Sequence, residues 1–111
     1  MTFRRVDPEE VVAAFEKTGL TPVRKRWLSE DQACGLCALL ASRLGRDQAL
    51  EVSRVEVFHA RHIARLLELK VPYVLGFIDG WDNALPWLIW SAAYRGGYSD
   101  GRAAARELGL A

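Results

Sequence analysis

Apolar residues recur every three or four positions along most of the chain, and this spacing predicts amphipathic helices. The first helix is expected to follow Asp7 as N-cap, with Pro8 in its first turn, and to end at Thr18-Gly19. Its buried face is predicted to hold four apolar side chains, which are Val11, Val12, Ala14 and Phe15.

Capping signals divide the middle of the chain into further helices. Ser29 and Gln32 have the spacing of a capping box, which predicts a helix from there to about Leu44, closed by Gly45. Asp47 is expected to cap the next helix. A second box at Ser53 and Glu56 allows a break near Ser53, and Pro72 predicts an end near Lys70.

One segment, residues 22–28, departs from helical spacing. Val23, Lys25 and Trp27 alternate with Arg24, Arg26 and Leu28, which predicts a short extended segment. Because a lone strand cannot make a sheet, this segment is expected to pair with its copy in a second subunit, if it pairs at all.

Two similar pentapeptides stand out near the C-terminus. Gly76-Phe77-Ile78-Asp79-Gly80 and Gly97-Tyr98-Ser99-Asp100-Gly101 share the pattern Gly-aromatic-x-Asp-Gly. If both are helical, glycine and alanine at every fourth position allow two helices to approach closely, which would offset the cost of about 1 kcal/mol for each helical glycine. In the alternative interpretation the two Asp-Gly pairs are turns.

A helix entered through Pro86 and running through Tyr94, a break at Gly96-Gly97 and a last helix over 99–108 complete the prediction. The expected fold is a mainly α, single domain over residues 1–111, a bundle of five or six short helices with at most one short extended segment.

Composition narrows the class of protein. Fifteen basic and fourteen acidic residues give a net charge of +1, so the overall charge does not predict a polyanionic partner. Two cysteines are too few for a secreted disulfide scaffold, and neither an apolar leader nor an apolar run of membrane-spanning length stands out. We therefore expect a cytoplasmic protein that does not enter the membrane.

Cys34-x2-Cys37 and His59-x2-His62 together are the ligand set of a tetrahedral zinc site. Both spacings place the paired side chains on one helix face, but they differ from those of zinc fingers. The competing interpretation is that both cysteines pack as small apolar side chains. A third interpretation is a redox dithiol, because a Cys-x2-Cys near a helix start suits that chemistry. Zinc is the one cofactor that these residues suggest.

Arg24, Lys25, Arg26 and Trp27 form a short basic segment with an aromatic neighbour, a combination that can contact phosphates and stack on a base. The competing interpretation is a solvated strand edge.

No catalytic triad, phosphate-binding loop or zinc-protease motif is found, and no catalytic residue is assigned.

Eleven of the residues are aromatic, and three of the four tryptophans lie within residues 81–90. Tryptophan and tyrosine dominate binding hot spots. The preferred prediction is a non-enzymatic protein that acts through protein–protein contacts, as an inhibitor or adaptor or as a homo-oligomer such as a homodimer. Its expected interface is Trp81, Trp87, Trp90 and Tyr94.

Overall fold

The computed structural model describes residues 3–54 and 60–110. These residues form six helices and one two-stranded sheet, so the prediction of a mainly α bundle is confirmed. In chain order the elements are α1 (Pro8–Thr18), β1 (Thr21–Pro22), β2 (Gln32–Ala33), α2 (Gly35–Leu44), α3 (Arg46–Ser53), α4 (Ala60–Leu67), α5 (Val71–Trp81) and α6 (Ala92–Glu107).

Helix α1 has the predicted bounds and caps. Asp7 Oδ1 accepts a hydrogen bond from the backbone N–H of Glu9 at 2.9 Å, and Glu10 closes the capping box. Gly19 ends the helix at φ 73°, a left-handed conformation that glycine adopts without steric cost. The buried face includes Val11, Ala14 and Phe15, whereas Val12 is only half-buried.

The extended segment is shorter than predicted and is folded back on itself. Thr21–Pro22 pairs in parallel with Gln32–Ala33, so β1 has a partner strand within the chain. Lys25 has φ 62°, which interrupts the expected alternation of side chains after Arg24. A residue from a distant part of the chain fixes the backbone at Lys25, because Asp82 Oδ1 accepts a hydrogen bond from the Lys25 backbone N–H at 2.8 Å.

The capping box predicted at Ser29 and Gln32 is wrong as a helix start. Ser29 Oγ does accept a hydrogen bond from the Gln32 N–H at 3.2 Å, but residues 29–32 form a turn that leads into β2. Helix α2 begins later, with Cys34 as its N-cap, and ends before Gly45 as predicted. The same hydrogen bond can close a turn or start a helix, so the motif alone does not distinguish them.

Two other boundaries are informative. Gly45 occupies the N-cap of α3, and Asp47, the predicted cap, lies in the first turn instead. Helix α3 ends at Ser53, where a break was predicted. Glu56 and His59 lie outside the described residues.

Helices α5 and α6 form the closest helix pair of the fold, and the helical interpretation of the two glycine pentapeptides is correct. The carbonyl oxygens of Tyr94 and Tyr98 occupy the space where Gly76 and Gly80 would carry a Cβ. Gly97 and Gly101 meet the carbonyl oxygens of Tyr73 and Phe77 in the same way. Both the predicted helix over 86–94 and the predicted break at Gly96-Gly97 are wrong, because α6 starts only after Ser91 and continues through both glycines.

These contacts also give the direction of the pair. Residues of increasing number on α5 meet residues of increasing number on α6, so the two helices run parallel. Each contact has a counterpart twenty-one residues along the chain, which gives the pair a local two-fold pseudosymmetry. Tyr73 and Tyr94 extend the repeat, since Tyr73 Oη donates to Asp100 and Tyr94 Oη donates to Asp79, both at 2.5 Å.

The core joins this pair to the rest of the chain. The rings of Phe15 on α1 and Trp81 on α5 stack with their centroids 6.0 Å apart. Trp81 Nε1 donates to the carbonyl oxygen of Val23 at 2.7 Å. Among the described helices, none combines the length and the apolar character needed to cross a bilayer.

Candidate functional site

The four predicted interface residues divide between the core and the surface. Trp81 and Tyr94 are 1% and 0% exposed, so they are core residues. Trp87 and Trp90 are 55% and 75% exposed, and they lie on the segment 82–91, called here the aromatic loop. The candidate interface is therefore this loop and not the face of a helix.

Two further apolar side chains of the aromatic loop are exposed. Leu85 is 89% exposed and Ile89 is 59% exposed, and with the two tryptophans they place four large apolar side chains in solvent within six residues. Single exposed apolar residues are ordinary on protein surfaces, whereas a contiguous group marks an interaction site.

The parallel arrangement of α5 and α6 explains why this loop is long and exposed. The chain leaves α5 at its C-terminal end and must return to the opposite end of the pair to start α6. Helix α5 has 11 residues and is about 16 Å long at 1.5 Å per residue. Ten extended residues span up to about 33 Å, so the loop covers this distance without forming a helix.

Asp79 anchors the loop to the helix pair. Its Oδ2 atom accepts hydrogen bonds from Trp87 Nε1 at 2.9 Å and from Tyr94 Oη at 2.5 Å. The Trp87 and Tyr94 rings meet edge to face with centroids 5.7 Å apart. Burial, followed by the hydrogen bond to Asp79, raises the pKa of Tyr94 to about 12, so the fold favours the neutral phenol that donates to this carboxylate. Trp87 is thus held in place while about half of its surface faces solvent.

A basic groove runs beside the aromatic loop. It has a volume of about 540 Å³, and its lining includes Pro86 and Ile89 of the loop together with Arg95, Arg102 and Arg106 of α6. The guanidinium of Arg102 lies 5.9 Å from the centroid of the Tyr98 ring. No acidic residue is among the described residues that line this groove. We call it the arginine groove.

The basic segment near the N-terminus is partly used in packing. Arg24 Nε donates to the carbonyl oxygen of Trp81 at 2.8 Å, and Trp27 is half-buried. Lys25 and Arg26 are exposed. Nucleic-acid binding through Arg24, Lys25, Arg26 and Trp27 stays a prediction. Of these four, Arg24 already uses its guanidinium in a hydrogen bond within the chain.

The predicted zinc ligands that the structure describes lie on two helices. Cys34 and Cys37 are buried at the start of α2, and His62 is half-buried on α4. His59 lies outside the described residues. Within the described ranges, no three His, Cys, Asp or Glu side chains are grouped so as to hold a metal ion. Zinc binding through Cys34, Cys37, His59 and His62 stays a prediction.

The chain was compared with protein-family models, with curated proteins and with solved structures, and none of them matches it. The candidate site therefore depends on the geometry of this chain alone.

Sequence reasoning missed Leu85, Ile89 and the arginine groove. The spacing of Arg95, Arg102 and Arg106, seven and four residues apart, places them on one face of a helix, and that signal was available. The exposure of Leu85 and Ile89 had no such signal, because an apolar residue in an apolar stretch has the same pattern whether it is buried or exposed.

Proposed function

We propose that this chain is a non-enzymatic binding protein that docks a partner protein through its aromatic loop. The observation that carries the proposal is the exposure of Leu85, Trp87, Ile89 and Trp90 on a loop that is fixed at Asp79. A pre-positioned aromatic side chain loses little conformational entropy on binding, which favours affinity.

The arginine groove indicates the chemistry of the partner. Arg95, Arg102 and Arg106 lie beside the apolar residues Pro86 and Ile89. A protein segment that carries carboxylates next to apolar anchors matches both features, and charge complementarity of this kind gives specificity and a faster association. We infer that the partner presents an acidic, partly apolar segment.

Photo-cross-linking in the native host tests the proposal. A photoreactive residue at Leu85 is expected to give a covalent adduct with a protein, and the same residue at Glu16, an exposed position on α1, is expected to give none. Trp90→Ser is expected to reduce the Leu85 adduct about 30-fold, which corresponds to a hot-spot contribution of about 2 kcal/mol. Reversal of Arg102 and Arg106 to Glu is expected to reduce it as well.

The mass of the adduct decides among the possible partners. An adduct of twice the chain mass, together with a dimer in light scattering that Trp90→Ser dissociates, identifies the partner as a second copy. Cross-linking to lipid alone, or a protein adduct that is unchanged by Trp90→Ser and by the arginine reversals, contradicts the proposal.

A further inference from the structure

The two cysteines lie together at the start of α2. Cys34 is the N-cap of the helix, and its Sγ atom accepts a hydrogen bond from the Cys37 backbone N–H at 3.4 Å. No disulfide joins them in this structure. The two residues occupy the N-cap and the third position of the helix, so both thiols belong to its first turn.

The two thiols differ in acidity. The neighbouring Cys37 thiol, with the backbone N–H groups of Cys37 and Leu36, holds the pKa of Cys34 below its ordinary value, although burial acts against this. The neighbouring Cys34 thiol, together with burial, raises the pKa of Cys37 well above its ordinary value. The N-cap position of Cys34 itself favours a thiolate there, because the helix dipole and the first backbone N–H groups stabilise negative charge.

A cavity of about 210 Å³ opens beside Cys34 and not beside Cys37. Cys34 is 6% exposed and lines it, whereas Cys37 is 0% exposed and is absent from its lining. The walls include Trp27, Phe77 and Trp81, and charged side chains come from Lys25, Arg26 and Asp82.

Gly35 lets this cavity reach the thiol. A Cβ atom at Gly35 would lie 3.0 Å from the Trp81 ring and 3.1 Å from the Phe77 ring. A side chain there would push the aromatic walls away from the first turn of α2. A small molecule that enters the cavity therefore meets the sulfur of Cys34 first.

We propose that Cys34 and Cys37 form a redox-active dithiol, which an anionic low-molecular-weight disulfide of the glutathione type oxidises through this cavity. The cations Lys25 and Arg26 suit the carboxylates of such a molecule. The proposal does not depend on the partner of the aromatic loop, although Asp82, the first residue of that loop, also lines the cavity.

The exchange has two steps that balance. The Cys34 thiolate attacks one sulfur of the disulfide, forms a mixed disulfide and releases one thiolate. Cys37 then loses its proton to solvent and attacks Cys34 Sγ, which expels the second thiolate. The protein dithiol is oxidised to the Cys34–Cys37 disulfide, and the small disulfide is reduced to two thiols.

Mass spectrometry of the native protein after incubation with oxidised glutathione tests the proposal. The unmodified chain is expected to lose two hydrogens and to carry no adduct. Cys37→Ala is expected to accumulate one glutathione on Cys34. Cys34→Ala is expected to react at least tenfold more slowly, since Cys37 is not reached from the cavity. Circular dichroism checks that both variants are folded.

A comparison of a charged and an uncharged disulfide tests the role of the two cations that line the cavity. Lys25→Glu combined with Arg26→Glu is expected to slow the reaction of Cys34 with oxidised glutathione several-fold, and to leave its reaction with the uncharged hydroxyethyl disulfide unchanged. The proposal is wrong if the native thiols resist both disulfides, or if their reaction is as slow as global unfolding and accelerates with denaturant in parallel with it.

Discussion

At the scale of single residues, the glycines of α5 and α6 differ in what surrounds them. The position of a Cβ at Gly97 is occupied by the carbonyl oxygen of Tyr73, which belongs to the backbone of a neighbouring helix. A Cβ at the adjacent Gly96 would meet side chains alone, the end of the Phe3 ring at 2.9 Å and the Arg5 guanidinium at 3.5 Å. A flexible ring can move and a packed helix cannot, so the two glycines have different tolerance for a methyl group.

Substitution of these two glycines measures that difference. Gly97→Ala is expected to destabilise the protein by about 2 kcal/mol, because overpacking against a backbone outweighs the gain in helix propensity. Gly96→Ala gains the same propensity, and its expected effect lies between neutral and a stabilisation of about 1 kcal/mol. Urea unfolding gives both free energies. Equal effects of the two substitutions would contradict the close packing of α5 and α6.

At the scale of elements, two aspartates in equivalent positions fix two non-helical segments. Asp79 on α5 holds the aromatic loop through Trp87 Nε1. Asp100 on α6 holds the N-terminal segment, because both of its carboxylate oxygens accept hydrogen bonds from Arg5, at 2.9 and 3.0 Å. The sequence repeat that pairs the two helices thus also attaches the aromatic loop and the N-terminal segment to them.

Asp79→Ala is expected to release the aromatic loop without unfolding the helices. The loss of hydrogen bonds from Trp87 and Tyr94 should cost about 1–3 kcal/mol. Backbone order parameters from NMR relaxation should fall towards about 0.6 or below for residues 85–90. Asp100→Ala is the matched control and should mobilise residues 3–6 instead. The anchoring role is refuted if both variants leave the loop as ordered as in the parent chain.

At the scale of the whole molecule, both ends of the chain contribute to one core. Phe15 of α1 stacks on Trp81 of α5, and the Val6 backbone N–H donates to Tyr73 Oη at 2.7 Å. The N-terminal helix therefore lacks a core of its own. That residues 1–111 fold as one unit stays a prediction, and this packing supports it.

Denaturant unfolding followed by two probes checks the single unit. Far-ultraviolet circular dichroism reports on all helices, whereas tryptophan fluorescence reports on the surroundings of the four tryptophans, among them the buried Trp81. Both curves are expected to have one shared midpoint, as in a two-state transition. Two separate midpoints would show that α1 or α2 folds independently of the α5–α6 pair.

Local signals predicted the elements better than their junctions. The Asp7 cap, Gly19 and the four-residue glycine spacing each act within one or two helical turns, and the structure confirms them. The start of α2 and the helix assigned to Pro86–Tyr94 were wrong. Ser29 bonds to Gln32 in a turn as well as in a helix, and the apolar residues of 85–90 have no helical partner to cover them.

The candidate site was predicted only in part for the same reason. Trp87 and Trp90 were assigned to an interface together with Trp81 and Tyr94, although the latter two are core residues. Residue type indicated a binding surface, but it does not distinguish an aromatic ring in the core from one in solvent.

By itself, the sequence determined where most helices form. It also determined that two of them carry a stripe of glycines on one face, because both properties depend on neighbours within a few residues. Only the tertiary structure decided that these two helices run parallel. That direction forces residues 82–91 to return along the pair, and it separates Trp87 and Trp90 from the buried Trp81. Exposure depends on which distant segments cover a residue, and the chain fixes those segments only when it packs.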